Sequence, residues 1–190
     1  KYRDISGPDG VPDGKISPEY DRVPLGNSLP RYQYGGNLSA SWKGIDLSIA
    51  FQGIGKQNAY LDQAMVQPFR NNYGNVPAII EGKYWSDFNT DAENASAKYP
   101  RLSNVSKDNN YATSSYWMFN GSYFRLKNVT LGYTLPKNWT KYVGIDRTRL
   151  YISGSDLFCI SNYPKGWDPE MGTSAYPITT SLVVGVQVNF

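Results

Sequence analysis

The chain has no histidine, a single cysteine in 190 residues, and sparse charge. Without histidine it lacks the commonest general base, the usual proton carrier of a catalytic triad and the commonest metal ligand. Cys159 alone excludes an internal disulfide framework and a cysteine-based zinc site. Charged residues make up 18% of the chain, against roughly 25% in soluble domains. The net charge of +3 comes without a clustered basic stripe, so nucleic acid is not an expected partner. No nucleophile constellation is visible either, and an enzyme is not expected. No stretch approaches the ~20 continuous apolar residues of a membrane helix. The chain opens on Lys1-Tyr2-Arg3-Asp4 rather than on Met. It therefore reads as a fragment or processed product, and a missing leader carries no weight.

What the chain does hold is aromatic and punctuated. Aromatics reach 15%, with 16 Tyr against 7 Phe and 5 Trp. Rings with an apolar body and a polar tip suit interfaces between greasy and wet surroundings, and they also suit sugar-binding surfaces. With 18 Gly and 12 Pro, the chain breaks into short segments rather than long helices.

Five segments alternate as strands do. At the C-terminus Leu182, Val184, Val186, Val188 and Phe190 share one face. Ser181, Gly185, Gln187 and Asn189 share the other, with Val183 the only apolar intruder. A period of two with one apolar and one polar face describes a strand between two environments. Tyr34–Trp42 alternates loosely, turns at Lys43-Gly44, and returns with Ile45, Leu47, Ile49 and Phe51 on one face. That pair reads as a hairpin. Ser122–Leu135 alternates through Val129, Leu131 and Tyr133, but Phe124 and Leu126 fall in the opposite phase. The slip suggests a bulge or a strand projecting past its embedded part. Arg149–Phe158 is the fourth strand, with faces left unassigned, and the C-terminal segment is the fifth.

The connections alternate in length. Short links fall at 43–44 and 136–148, long ones at 55–121 and 159–180, and residues 1–33 form a further Pro-, Gly- and Asp-rich loop. All the short links then lie at one end of the sheet. A short helix is expected near Ala59–Phe69. Outer-membrane barrels segregate short turns from long loops in this way. The competing reading is a secreted carbohydrate-binding β-sandwich with aromatic loops, whose sheets alternate for the same reason. It requires Ile45, Leu47, Ile49 and Phe51 to lie in a protein core.

Several segments resemble a known family. Ser122–Pro136 (SYFRLKNVTLGYTLP), Leu150–Phe158 (LYISGSDLF), Trp167-Asp168-Pro169-Glu170 and Tyr176-Pro177 with the final strand are similar to the C-terminal barrel of SusC/RagA-type TonB-linked outer-membrane proteins. The hairpin from Pro30 through Leu47 resembles them as well, and Asp156 stands where the family usually has Asn. The matches lie in the family's order. The resemblance implies an all-β fold, an antiparallel transmembrane β-barrel segment holding the last five strands of a 22-stranded barrel. Residues 1–190 would be the C-terminal part of that barrel, with extracellular loops at 1–33, 55–121 and 159–180. It also implies import of oligosaccharides or peptides across the outer membrane of a Bacteroidetes-like Gram-negative cell. The implied partners are the rest of the barrel and its plug, a SusD-like surface lipoprotein, membrane lipid, and the TonB complex through the N-terminal part outside this chain.

Five strands cannot close a barrel, and an open edge in hydrocarbon would leave its amides unsatisfied. Both edges therefore require further strands. The lipid-facing residues are expected to be Ile45, Leu47, Ile49, Phe51, Leu182, Val184, Val186, Val188 and Phe190. Tyr84, Trp85, Tyr111, Tyr116, Trp117 and Trp167 on or near the long loops are candidates for stacking on substrate, with Asn89, Asp91 and Asn109 as polar neighbours. No other cofactor is expected, but the Asp9–Ile16 turn resembles a calcium loop, with Asp9 and Asp13 as ligands. Val11 at its third position and Tyr20 at its twelfth depart from that pattern, and a plain Gly/Asp turn explains it equally. Asp168 and Glu170 are too close in sequence to flank a glycosidic bond, so they read as a loop anchor.

Overall fold

The computed structural model describes residues 2–60, 66–69, 75–103, 110–140, 142, 144–172 and 175–190. Its strands are β1 (Tyr32–Trp42), β2 (Ile45–Gly55), β3 (Asn58–Tyr60), β4 (Met118–Asn120), β5 (Tyr123–Thr134), β6 (Arg147–Ser161) and β7 (Ser181–Asn189). Among the described residues the short helices α1 (Asp91–Ser96) and α2 (Lys137–Thr140) interrupt the connections. Five strands form one antiparallel sheet in the order β1-β2-β5-β6-β7, while β3 and β4 pair separately. Among the described residues no helix is long and apolar enough to cross a membrane.

Each strand follows from its local sequence. β1 and β2 meet at Lys43-Gly44, both at positive φ, as a two-residue hairpin turn of the right-handed-twist type demands. The Thr134 amide donates to the Gly44 carbonyl at 2.7 Å, tying that turn to the end of β5. The phase slip in β5 is a bulge. Register shifts between Leu126 and Asn128 against β6, and between Ala50 and Phe51 in the β2 pairing. One extra residue reverses the phase, so Leu126 sits opposite Phe51 while Val129 sits opposite Ile49. Both halves of β5 therefore present their apolar residues to one side.

Register then writes the two faces out in full. Trp42, Ile45, Tyr133, Leu150 and Val186 form one cross-strand row; Ala40, Leu47, Leu131, Ile152 and Val184 form the next. A third runs Leu38, Ile49, Val129, Gly154 and Leu182. This assigns β6, whose apolar face carries Leu150, Ile152, Phe158 and Ile160. Ring contacts link Phe51 to Phe124 at 5.8 Å and Phe124 to Phe158 at 6.2 Å.

Among the described residues no core covers this apolar face. Leu182 is 70% exposed and Val184 79%, and Ile45 and Leu47 are exposed as well. Ile49 and Phe51 are half-buried by their neighbours alone. The buried apolar residues, Ala59, Val66, Ile80, Tyr111, Trp117 and Tyr123, all lie beyond the long-loop end of the sheet or at its edge. Each large apolar side chain left in water forgoes about 1.5–3 kcal/mol. A sandwich would spend those residues on a core, and among the described residues none forms over this face.

Two local expectations change, and a third is met in part. β6 runs to Ser161, three residues into the segment assigned to a loop, because Phe124 pairs with Ile160 and holds it extended. The segment 55–121 is built rather than structureless: it contains β3, β4, α1 and their packing. Of the expected helix near Ala59–Phe69, Ala59 and Tyr60 belong to β3, paired with Phe119 and Met118, while Val66 is helical. Residues 61–65 lie outside the described residues.

Gly132 lies opposite Asp46, where a Cβ would collide with the Arg149 guanidinium and the Asp46 carboxylate. Gly132→Val in the complete protein should cost about 1–3 kcal/mol through overpacking, read as a lowered urea midpoint in detergent. An unchanged midpoint would show that the Asp46–Arg149 contact moves aside freely.

Candidate functional site

The polar side of the sheet is a wall of hydroxyls and amides. Ser39, Ser48, Thr130, Ser153 and Val183 form one rung; Asn37, Ala50, Asn128, Ser155 and Ser181 form the next. Asn128 Nδ2 donates to the Ser153 and Ser155 hydroxyls at 3.3 Å each, and the Thr130 and Ser153 hydroxyls lie 2.8 Å apart. Toward the short-turn end, Arg149 Nε donates to Asp46 Oδ1 at 2.8 Å, and its second arm reaches the other carboxylate oxygen. The two residues sit on strands separated by β5, and the missing side chain of Gly132 lets the fork cross. Arg149 also lies 5.2 Å from the Tyr151 ring centroid.

At the long-loop end the charges concentrate. Arg125, 3% exposed, places Nη2 2.6 Å from Asp168 Oδ2 and Nε 2.6 Å from Glu170 Oε1. The contact to Glu170 is one of charge rather than an aligned hydrogen bond. Lys127 Nζ lies 2.7 Å from Asp156 and 3.4 Å from Glu170. Asp168 also accepts the amides of Glu170 at 2.9 Å and Ile178 at 3.3 Å. These five groups pin the loop after β6 to the wall. A guanidinium fork matches two carboxylates at once, and pairing makes their burial tolerable. Burial pushes the Asp168 carboxyl up, but Arg125 and the two amides outweigh it and hold it below the ordinary aspartate range. Asp156 adopts φ +51°, a left-handed conformation that Asn and Asp enter more readily than other side chains.

The anchoring role of Asp168 and Glu170 was readable from their spacing. Arg125 and Lys127 were not singled out, because they interrupt an otherwise alternating strand, and Asp156 stood out only as a departure from the family. Their signal was the bulge: the phase slip at Lys127 turns two consecutive positions toward the polar side.

The aromatic candidates divide by burial. Tyr111 and Trp117 are each 3% exposed, their rings stacked at 5.4 Å, with Tyr99 stacked on Trp117 at 6.0 Å. Val66 completes this cluster, and Trp167 packs against it from the loop after β6. Tyr111 and Trp117 are thus packing residues, because other rings and side chains already occupy their faces. Burial first, and the neighbouring Tyr99, push the Tyr111 hydroxyl up to about 12. Trp85 is exposed and Tyr84 half-buried, with a bridge between Tyr84 and Tyr99. Asn89 donates to the Tyr84 carbonyl at 2.9 Å, and Asp91 opens α1 behind the Thr90–Glu93 capping box. Asn109 lies outside the described residues. Tyr116 is exposed, and Phe88, nearly fully exposed, is a ring that sequence reasoning did not single out as a substrate contact.

In the N-terminal segment the carboxylates serve the backbone. Asp21 accepts the amides of Ile5 at 2.8 Å and Ser17 at 2.7 Å, and those bonds hold its carboxyl below the usual range. Asp4 accepts the Gly14 amide at 2.6 Å, Asp13 accepts the Lys15 amide at 2.9 Å, and Asp9 is exposed. Among the described residues no three acidic, His or Cys side chains are gathered to hold a metal.

No family model matches the chain. It is 28% identical over 89% of its length to TonB-dependent receptor P3 of Formosa agariphila, covering 15% of that protein. Over 40% of its length it is 34% identical to TonB-dependent receptor SusC of Bacteroides thetaiotaomicron, covering 8% of it. The RagAB peptide importer in its closed-closed state aligns over 97% of the chain with a TM-score of 0.68 at 24% identity, covering 20% of the solved chain. The RagAB peptide transporter aligns over 82% with a TM-score of 0.58 at 25% identity, covering 17% of that chain. The chain thus spans a fifth or less of the length of these proteins. Their names are those of receptors and importers, not enzymes.

The lowered carboxyl of Asp168 fixes a sign for acid. A depressed folded-state value stabilises the docked loop above the unfolded-state value and loses that stabilisation as pH falls through the folded one. Below about pH 4 the 162–180 loop should therefore become progressively more open to an acid protease in the complete protein. Asp168→Asn should make cleavage faster at neutral pH and flatten its pH dependence. Cleavage independent of pH in the parent protein would remove Asp168 as the anchor.

Proposed function

With the chain identified as a SusC/RagA-like portion of a TonB-linked receptor, we propose that it is a wall segment of an outer-membrane importer. The observation that carries this is the continuous bare apolar face, rung after rung from β1 to β7, backed by a polar one. An eleven-residue strand such as β1 or β2 reaches about 37 Å at ~3.4 Å per residue. Tilted by ~40° it covers about 28 Å, close to the ~30 Å of a hydrocarbon core. The apolar face meets lipid, and the hydroxyl-lined face turns to the lumen.

In this reading the free edges of β1 and β7 pair with the remaining strands of a 22-stranded barrel. A plug and the segment engaging the TonB complex belong to the rest of the protein. The anchored loops at 55–121 and 159–180 face outward and meet a SusD-like lipoprotein, with the exposed Trp85 available to substrate. The cargo is an oligosaccharide or a peptide. Formosa and Bacteroides relatives support a Bacteroidetes-like outer membrane, and the RagAB neighbours support import of peptide.

Two measurements test this. In the complete receptor Val184→Arg should reduce the folded barrel recovered from outer membranes, since a mid-bilayer arginine costs about 2–4 kcal/mol. Val183→Arg, one residue away on the polar face, should leave recovery near that of the parent. Equal recovery of the two variants would contradict the assignment of faces. Cells expressing the receptor should take up labelled peptide or oligosaccharide only with an intact TonB complex. Uptake that survives loss of TonB would defeat the importer reading.

A further inference from the structure

A cavity of about 880 Å³ opens at the long-loop end, between residues 27–34, residues 54–58 and residues 120–122. Its lining includes Arg31, Lys56, Tyr32 and Tyr34, and it contains no carboxylate. Among the described residues neither cation is in an ion pair. The backbone brings them together: the Arg31 amide donates to the carbonyls of Gly55 at 3.2 Å and Lys56 at 3.3 Å. Lys56 adopts φ +50°, a conformation that costs a non-glycine residue free energy and persists only where the surroundings impose it. Gln57 donates to the Ser28 carbonyl at 2.8 Å and Asn58 to that of Leu25 at 3.1 Å, so the wall is tied down.

The two tyrosines belong to the apolar side. Tyr34 pairs with Gly53 and Tyr32 with Gly55, continuing the face of Gly36–Phe51 and Leu38–Ile49. Both rings are exposed, and the Tyr34 hydroxyl donates to the Tyr123 carbonyl at 3.3 Å. An apolar face therefore ends in two amphipathic rings and, immediately beyond them, two cations without counter-ions. A membrane amphiphile with a phosphate group has that order of parts, acyl chain, interface and anion.

Resting on the membrane reading above, we propose that Arg31 and Lys56 bind the phosphate of an outer-leaflet phosphorylated glycolipid whose apolar part lies along Tyr32 and Tyr34. Arginine grips phosphate with a planar fork and lysine as a point charge, and tyrosine rings sit at headgroup depth. A soluble anion would use the cations but gain nothing from the rings, which decides for the lipid.

The test uses the complete receptor in phosphatidylcholine nanodiscs, with fluorescent diphosphoryl lipid A as probe. Saturable binding is expected, weakened about tenfold, or 1.4 kcal/mol, in the Arg31→Gln/Lys56→Asn variant. Asn tolerates the left-handed backbone at 56, and Lys56→Asn alone should give a smaller loss in the same direction. Lipid A stripped of its phosphates should bind the parent as weakly as diphosphoryl lipid A binds the double variant. Lys165→Gln, an exposed cation on another loop, should change nothing. Binding indifferent to the Arg31 and Lys56 changes overturns the proposal. Competition by inorganic phosphate at the lipid's own affinity overturns it too, in favour of a soluble-anion site. If the parent receptor is not recovered from membranes at all, the membrane reading has failed; if it is recovered and does not bind lipid A, this proposal fails alone.

Discussion

Cross-strand register is the constraint on which the other features depend. Residues directly opposite in an antiparallel pair share a face, and a slip of one position exchanges every side chain between faces. Across β1, β2, β5, β6 and β7 the register keeps apolar residues in line through two irregularities, one in the β2–β5 pairing and one in β5–β6. The bulge at Lys127 is what makes this work. Without it Phe124 and Leu126 would stand among the serines, and Arg125 would face the apolar side. One inserted residue thus sets the apolar surface of the upper sheet and delivers the buried guanidinium that the loop after β6 needs.

That guanidinium and the aromatic cluster divide the work of holding the loops. Asp168 and Glu170 bind the loop after β6 to the wall through Arg125 and Lys127. Trp167, next in sequence, packs against the cluster around Trp117 in the other long loop. The two long connections are therefore coupled through adjacent residues, one end ionic and the other apolar. The ionic end weakens in acid, whereas the apolar end has no such dependence.

Much of the fold could be read from sequence because strands with two different faces advertise themselves by period. Leu182–Phe190 and Ile45–Phe51 carry that alternation cleanly. β6 did not, since its polar face holds Tyr151 and its apolar face holds Gly154, so the two sides differ little in hydropathy until their partners are known. The loops were harder still. Tyr111 and Trp117 have the composition of a stacking surface, and only tertiary packing shows their faces taken up by Tyr99 and Val66. Arg31 and Lys56 are 25 positions apart in sequence, and nothing local announces that two backbone hydrogen bonds set them side by side.

The two middle rungs of the polar face carry hydroxyls and amides and no net charge: Ser48, Thr130 and Ser153, then Asn128 and Ser155. Hydroxyls rotate and serve as donor or acceptor alike, so a polar solute moving over them trades one hydrogen bond for an equivalent one. From one of these rungs to the next the hydrogen-bonding partners are equivalent in kind. Over these two rungs a polar molecule would meet no charged side chain.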